Sequence, residues 1–455
     1  MDSLTQAPFW PFLVLLIGII SVILGISKFR FHPFIAMMVS AVVVGLISAP
    51  FEGMEGNHLV NAIELPMVEF GSITGKIAWV IALAAIIGTA MMESGAAVKI
   101  VNTLTTAFGE KNGAIALLLS GFILSIPVFF DTVFFLLIPV IIAFASKTGK
   151  NYILYILAAG GAAAIAHSTI PPTPGPLVVA EVMNIDLGVT ILAGIGIGIL
   201  PAIVSYYVAH RINKKIEIPI RVPHPEMNSE GNGPSLLAST LPIVIPIILI
   251  SLTSILQVAN VAIPDWVSFL GNKNIAMSIG TVLAITTWVQ QKKLNKESLW
   301  QGIGKPLEIA GIIILITGAG GAFGAMIKHS GIGNAIEMAT ADFHIHYVLL
   351  AWLISAAIKT AQGSSTVALI TTSGIMYAIV GNGADLPYHP VYILLSIGFG
   401  GIFISWMNDS GFWVVAKMSG MTEKEALKTF TVTLAIASLV GVAELILLSY
   451  ILPLK

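Results

Sequence analysis

Apolar segments long enough to cross a bilayer follow one another from residue 11 to residue 451, and a hydrocarbon core of ~30 Å needs ~20 such residues per helix. Lipid offers no partner to a backbone amide, so segments of this kind must satisfy their own hydrogen bonds as helices. Only 10% of the 455 residues are charged, and mean hydropathy is +0.94, whereas soluble domains carry roughly a quarter charged residues. The chain reads as an all-α polytopic membrane protein that leaves no soluble domain of useful size. A net charge of −1 with scattered cations argues against nucleic acid as a partner, and zero cysteines rule out disulfides, thiolate metal sites and thiol catalysis. The first apolar run follows no Lys or Arg and lacks a small-residue cleavage pattern, so it reads as a retained span rather than a signal peptide.

Hydropathy and polar breaks place spans at 11–27, 33–50, 75–95, 152–182, 188–209, 236–257, 274–290, 306–327, 389–417 and 430–451. Runs 113–145 and 346–380 are too long for one span and too short for two. Lys99 and Lys111 precede the first run, and Lys147 and Lys150 follow it. The positive-inside rule therefore puts both its ends in the cytoplasm, which predicts a re-entrant hairpin with its tip at "PVFFD", 127–131. Asp342 and Asp385 frame the second run without flanking cations, predicting a hairpin that enters from outside with its tip at "QGSST", 362–366. Under this topology 17 of the 22 cations, from Lys28 to Lys428, are cytoplasmic and both termini lie outside.

The two halves correspond. "GTAMMESG" at 88–95 and "GAMIKHSG" at 324–331 share Gly, Ser and Gly at an offset of 236 residues; the same offset carries the hairpin tip "PVFFD" onto "GSSTV" at 363–367 and brings the polar break "AHSTIPPTPGP" at 166–176 near "FISWMNDSGFW" at 403–413. Residues 1–209 and 236–455 thus each hold five spans and one hairpin, joined by a cytoplasmic linker at 210–235. Five is odd, so the second copy starts on the opposite side of the membrane, an inverted repeat.

Hairpin tips and broken spans leave unwound backbone at membrane depth, which is tolerated only inside protein or beside a wet cavity. The expectation is that all four converge on a central site where half-helix N-termini face an anion. In the first break Pro171, Pro172, Pro174 and Pro176 forbid a helix, and Ser168, Thr169 and Thr173 offer hydroxyls. His167 is open between structural hydrogen bonding and a proton or substrate role. In the last broken span, 389–417, Asn408, Asp409 and Ser410 lie at midplane. A membrane aspartate costs roughly 2.5–3.5 kcal/mol on insertion scales and needs a cation, a proton or donors. Asp409 is therefore open between a structural ion pair with Lys359 and a coupling role, and Asp131 faces the same choice. Gly363 permits close backbone approach, and Ser364, Ser365 and Thr366 bring hydroxyls to the second tip. Lys359 supplies either a partner for a buried acid or positive potential for an anion. The glycine-rich stretches at 194–198, 318–324 and 398–401 read as close helix contacts rather than nucleotide loops.

At these residues the sequence resembles the gluconate permease family. PPTPGP, "GGAF" through "SGIGNAI" at 320–336, "GSSTVALITTSGI" at 363–375 and "NDSGFW" at 408–413 carry the resemblance, which extends over nearly the whole chain. It implies a secondary active transporter of sugar acids with proton coupling in a bacterial inner membrane, working as an elevator against a dimeric scaffold. Four positions depart from the family's usual residues: Thr173 where a histidine is common, Ser410 where proline is, Asp131 where glutamate occurs and Lys359 where arginine occurs.

The expected function is symport of gluconate or a related small hydroxy carboxylate, with Ser168, Thr169, Thr173, Gly363, Ser364, Ser365, Thr366, Asn408 and Ser410 binding substrate. Asp131, His167 and Asp409 are the candidates for coupling, and Lys359 gives electrostatic support. The alternative is sodium coupling near Asp131, Asn408 and Asp409, with a carboxylate or amino-hydroxy acid as cargo. A channel or an intramembrane hydrolase fits the paired breaks less well. No cofactor or resident metal is expected; the partners are the lipid bilayer, a small carboxylate and a second copy of the chain.

Overall fold

A computed structural model describes residues 9–51, 54–221, 233–258, 261–332, 335, 346–407 and 409–454, and among these no strand occurs. The first part of the chain forms α1 (Trp10–Ser27), α2 (Pro33–Ile47), α3 (His58–Glu93), α4 (Ala96–Phe108), α5 (Gly113–Leu124), α6 (Phe130–Thr148), α7 (Tyr152–Thr169), α8 (Pro174–Val182) and α9 (Leu187–Asn213). The rest forms α10 (Leu236–Val258), α11 (Asp265–Gly271), α12 (Lys273–Lys292), α13 (Lys296–His329), α14 (Tyr347–Gln362), α15 (Ser365–Val380), α16 (Val391–Gly400), α17 (Ser410–Met418), α18 (Glu423–Ala426), a π-helical turn (Leu427–Thr431) and α19 (Val432–Ile451). Among the described residues seven helical segments are long and apolar enough to cross a membrane.

Two helices start well before the positions expected from hydropathy. α3 begins at His58 rather than 75, and α13 at Lys296 rather than 306. Glu64, Pro66 and Glu69 in one, and Lys305, Pro306 and Glu308 in the other, lower the local hydropathy and look like loop residues. The starts are instead fixed upstream by side-chain caps: Asn57 accepts from the Leu59 amide, and Asn295 from the Ser298 amide, each at 2.8 Å. α4 was not expected as a helix because it is amphipathic rather than apolar, and α6 continues past 145 to Thr148. Of the linker expected at 210–235, residues 210–213 belong to α9 and 222–232 lie outside the described residues.

α3 and α13 make the most extensive helix–helix contact among the described residues; α2 and α15 pack against α13, and α12 packs against α3. The second cluster is built around α7, in which every residue except His167 is buried. Its "AAGGAAAIA" run lets neighbouring backbones come close: a Cβ on Gly121 of α5 would sit 2.4 Å from the Ala159 carbonyl oxygen. Small residues at such contacts are how helices associate where lipid removes the hydrophobic advantage of burial. Serines add interhelical bonds: Ser355 donates to Ile397 O at 2.7 Å, Ser438 to Phe399 O at 2.6 Å, and the Trp352 indole to Ser438 Oγ at 2.9 Å. These bonds lock α14, α16 and α19 together.

Outside the membrane-spanning segments, Arg221 holds Glu425 with two nitrogens at 2.6 and 2.8 Å. Glu425 also closes the capping box of α18 with Thr422. The guanidinium hydrogen bonds hold the Glu425 carboxyl down to about 2, against an ordinary value of 4.5.

Candidate functional site

Four interruptions divide the helices: 125–129 between α5 and α6, 170–173 between α7 and α8, 363–364 between α14 and α15, and 401–407 with 409 between α16 and α17. The segments flanking three of them, together with the C-terminal end of α7, line one cavity of about 340 Å³. Asp131 comes from the first turn of α6, Ser364, Ser365 and Thr366 from the start of α15, and Asp409, Ser410 and Gly411 from the start of α17. His167 and Ser168 line it from α7, and Lys359 from α14. Phe129, Phe130, Ile402, Phe430 and Leu434 supply apolar wall, with Ile309 and Ile313 of α13.

Each of the three helix starts presents first-turn amides, which carry partial positive charge and attract anions. α6 has no side-chain cap at Phe129. In α15 the cap is Ser364, whose Oγ accepts from the Val367 amide at 3.3 Å. Asp409 caps α17, its Oδ1 accepting from the Gly411 amide at 3.0 Å. The Ser365, Thr366 and Ser410 hydroxyls border the cavity and make no hydrogen bond to a described residue.

Lys359 is fully buried and pairs with Asp409 Oδ2 at 2.8 Å. Its ammonium also donates to the Gly363 carbonyl, and Ser405 Oγ donates to Asp409 Oδ2. Asp409 is thus held by an ammonium, a hydroxyl and an amide at once. Asp131 makes no hydrogen bond or ion pair with any described residue. His167 meets Phe129 edge to face, ring centroids 6.3 Å apart, and its Nδ1 is buried without a partner among the described residues.

Three expected binding residues are not among those lining the cavity. Thr169 and Thr173 are buried and spend their hydroxyls on the Ile165 and Ile170 carbonyls at 2.7 and 2.6 Å. Gly363 has φ +92°, a left-handed turn that ends α14, and its carbonyl is taken by Lys359. Asn408 lies outside the described residues. The carbonyls beside the first break are closed off by glycines: a Cβ on Gly398 would lie 2.3 Å from Ser168 O, and one on Gly194 would lie 2.5 Å from Thr169 O. The glycine-rich stretches at 194–198 and 398–401 therefore serve close helix contact. Ser405 was missed in the sequence; its signal is its position four residues before an intramembrane aspartate. Among the described residues no cluster of three or more His, Asp or Glu side chains is placed to hold a metal ion.

The family model described as GntP family permease matches residues 10–451 of this chain. The chain is similar to the gluconate permease of Pseudomonas aeruginosa, 31% identical over 96% of this chain and 97% of the relative. It is also similar to the D-serine transporter DsdX of Escherichia coli K12, 31% identical over 97% of this chain and 99% of the relative. Among solved structures it is similar in fold to the YdaH transporter of Alcanivorax borkumensis, with a TM-score of 0.59 and 14% identity over 93% of this chain and 100% of that one.

Proposed function

The chain belongs to the GntP family of permeases and is a multi-pass membrane transporter rather than an enzyme, and from that premise we propose that it takes up a small hydroxylated carboxylate of the gluconate type by proton symport across a bacterial inner membrane. The observation that carries the reading is the convergence of three helix N-termini on one cavity that also holds an unpaired acid and unpaired hydroxyls. No guanidinium lines that cavity. A ligand carboxylate is therefore met by first-turn amides, and its hydroxyls by Ser365, Thr366, Ser168 and Ser410. An unpaired carboxylate inside the membrane needs a counter-charge, and a proton supplies one.

Sodium fits less well as the coupling ion because Asp409, one of the acids expected near it, already faces the Lys359 ammonium at 2.8 Å. A second reading rests on the same unpaired Asp131: a zwitterionic hydroxy amino acid would place its carboxylate at the helix ends and its ammonium on Asp131. The D-serine transporter among the relatives gives that reading weight.

For the transport movement, we read the two halves as an inverted repeat and the α7–α8, α14–α15 and α16–α17 units as parts that shift against the α3/α13 cluster, with both termini outside and two copies pairing through the scaffold. The apolar face that Ile309 and Ile313 of α13 turn to the cavity supports this division. Cysteine labelling at the termini and the mass of the purified protein in detergent test the orientation and the dimer.

The decisive experiment is uptake of radiolabelled gluconate into proteoliposomes under an imposed pH gradient, with and without sodium, in competition with other sugar acids and D-serine. The expected result is accumulation that follows the pH gradient, ignores sodium and is displaced by sugar acids. Sodium-driven uptake overturns the coupling reading. Displacement by D-serine but not by sugar acids replaces the substrate reading with the second one.

A further inference from the structure

Two acids border the cavity, and their surroundings differ. Asp409 is nine-tenths buried and accepts from Lys359, Ser405 and the Gly411 amide. These bonds run between segments: Lys359 ends α14, Gly363 opens the turn into α15, Ser405 lies in the break after α16, and Gly411 starts α17. Asp131 is only partly buried and makes no hydrogen bond or ion pair to a described residue.

We propose that Asp131 is the residue that takes up the coupling proton, and that Lys359 and Asp409 form a positioning pair that keeps its charges through the cycle. The proposal rests on the proton-symport reading above and assigns roles within it.

The two protonations differ in what they strand. A proton on Asp409 would leave the Lys359 ammonium, which has no exposure at all, without its counter-charge inside the membrane. Breaking a buried pair from one side is among the most costly changes a protein meets. A proton on Asp131 breaks no hydrogen bond or direct ion pair: Lys359 also feels the Asp131 charge, but its ammonium keeps its contacts with Asp409 and the Gly363 carbonyl. The same proton gives coupling. A ligand carboxylate arriving at the helix starts brings a second negative charge into the cavity beside Asp131, and protonating Asp131 removes the repulsion. Ligand and proton then favour each other's binding, and linkage makes the effect reciprocal.

The remaining charged groups near Asp131 do not alter this assignment. His167 is the only titratable side chain that α7 brings to the cavity. α5 carries no charged residue, the single cation of α4, Lys99, is exposed, and Lys417 of α17 sits over the Trp413 ring. Lys359 approaches from α14, but its ammonium is committed to Asp409 and Gly363.

The test compares gradient-driven accumulation with gluconate counterflow, which needs binding and movement but no net proton transfer. Reconstituted wild type, Asp131→Asn, Asp131→Glu, Asp409→Asn and the double variant Lys359→Met/Asp409→Asn are measured, the last removing both charges while keeping a capping residue for α17. Asp131→Asn is expected to retain counterflow, to lose accumulation under a pH gradient and to lose the pH dependence of gluconate affinity. Asp131→Glu keeps gradient drive with a displaced pH profile. Asp409→Asn loses counterflow and accumulation together, by about tenfold or more, and the double variant recovers both.

Gradient-driven accumulation by Asp131→Asn would overturn the proposal. So would loss of accumulation with counterflow intact in Asp409→Asn, which would move the proton to that residue. Loss of counterflow in Asp131→Asn with full recovery in Asp131→Glu would make Asp131 a ligand-binding group instead. Failure of wild type itself to accumulate gluconate under a pH gradient would sink the proposed function before any variant is compared.

Discussion

The two broken helices solve one problem by opposite means. Between α7 and α8 the chain is kept out of a helix by subtraction: four prolines remove amide donors, Thr169 and Thr173 turn their hydroxyls onto nearby carbonyls, and Gly194 and Gly398 close the space around the exposed backbone. Between α16 and α17 the break is kept open by addition. Asp409 caps the new helix, Lys359 neutralises Asp409, Ser405 braces it, and the Trp406 indole donates to the Thr360 carbonyl at 2.9 Å. That second arrangement holds Ile404, a β-branched residue, at φ +45°, a conformation that persists only when surrounding bonds over-determine it. A break made by removing donors needs no charge and can be sealed. A break made by adding charge must be neutralised, and it is the one that opens onto the cavity.

The comparison ranks the effects of substitutions. The largest is expected at the charged break: Asp409→Ala leaves Lys359 buried and alone, and thermal unfolding in detergent should register a loss of about 3–5 kcal/mol. Next comes the sealed break, where Gly398→Ala drives a methyl against Ser168 O and costs about 1–3 kcal/mol. If the glycine substitution proves the more damaging of the two, the contrast between the breaks is wrong. Binding should separate them further. Ser365→Ala is expected to weaken gluconate affinity by about 0.5–1.5 kcal/mol, while Thr173→Val leaves it unchanged, and equal losses at the two positions would return Thr173 to the site.

The smallest effect lies outside the membrane, at Arg221 and Glu425. A carboxyl whose folded value is depressed contributes stability that is fully present above its unfolded value of 4.5 and is lost as pH falls towards about 2. The side chains are 39% and 22% exposed, so solvent and salt screen the pair and the contribution is small. Melting temperature followed from pH 5 to pH 2.5 should fall slightly less in Glu425→Gln than in wild type.

Much of this was legible in the sequence, for identifiable reasons. Apolar length gave the helical class, the lengths and flanking charges of runs 113–145 and 346–380 marked two interruptions, and a proline run and a midplane polar cluster marked the other two. The cost of an aspartate in lipid pointed to Lys359 as a partner for Asp409. Which break faces the ligand was not legible. Thr169 and Thr173 have the same chemistry as Thr366, and only the approach of α9 and α16 onto the end of α7 decides that their backbone is enclosed. The early starts of α3 and α13 were hidden because Pro66 and Pro306 read as helix breakers, yet both are buried within continuous helices. The unpaired state of Asp131 was equally invisible, since it depends on Lys359 being committed elsewhere.

That three helix starts border the cavity also bears on how such a protein drifts over generations. Main-chain amides belong to every residue but proline, so ordinary substitution cannot delete them. The attraction for a negative group is therefore inherited with the fold. The side chains mounted on those starts, Ser365, Thr366 and Ser410, are free to vary around it. Relatives can then exchange one cargo for another through a few surface atoms, without rebuilding the frame that holds the charge.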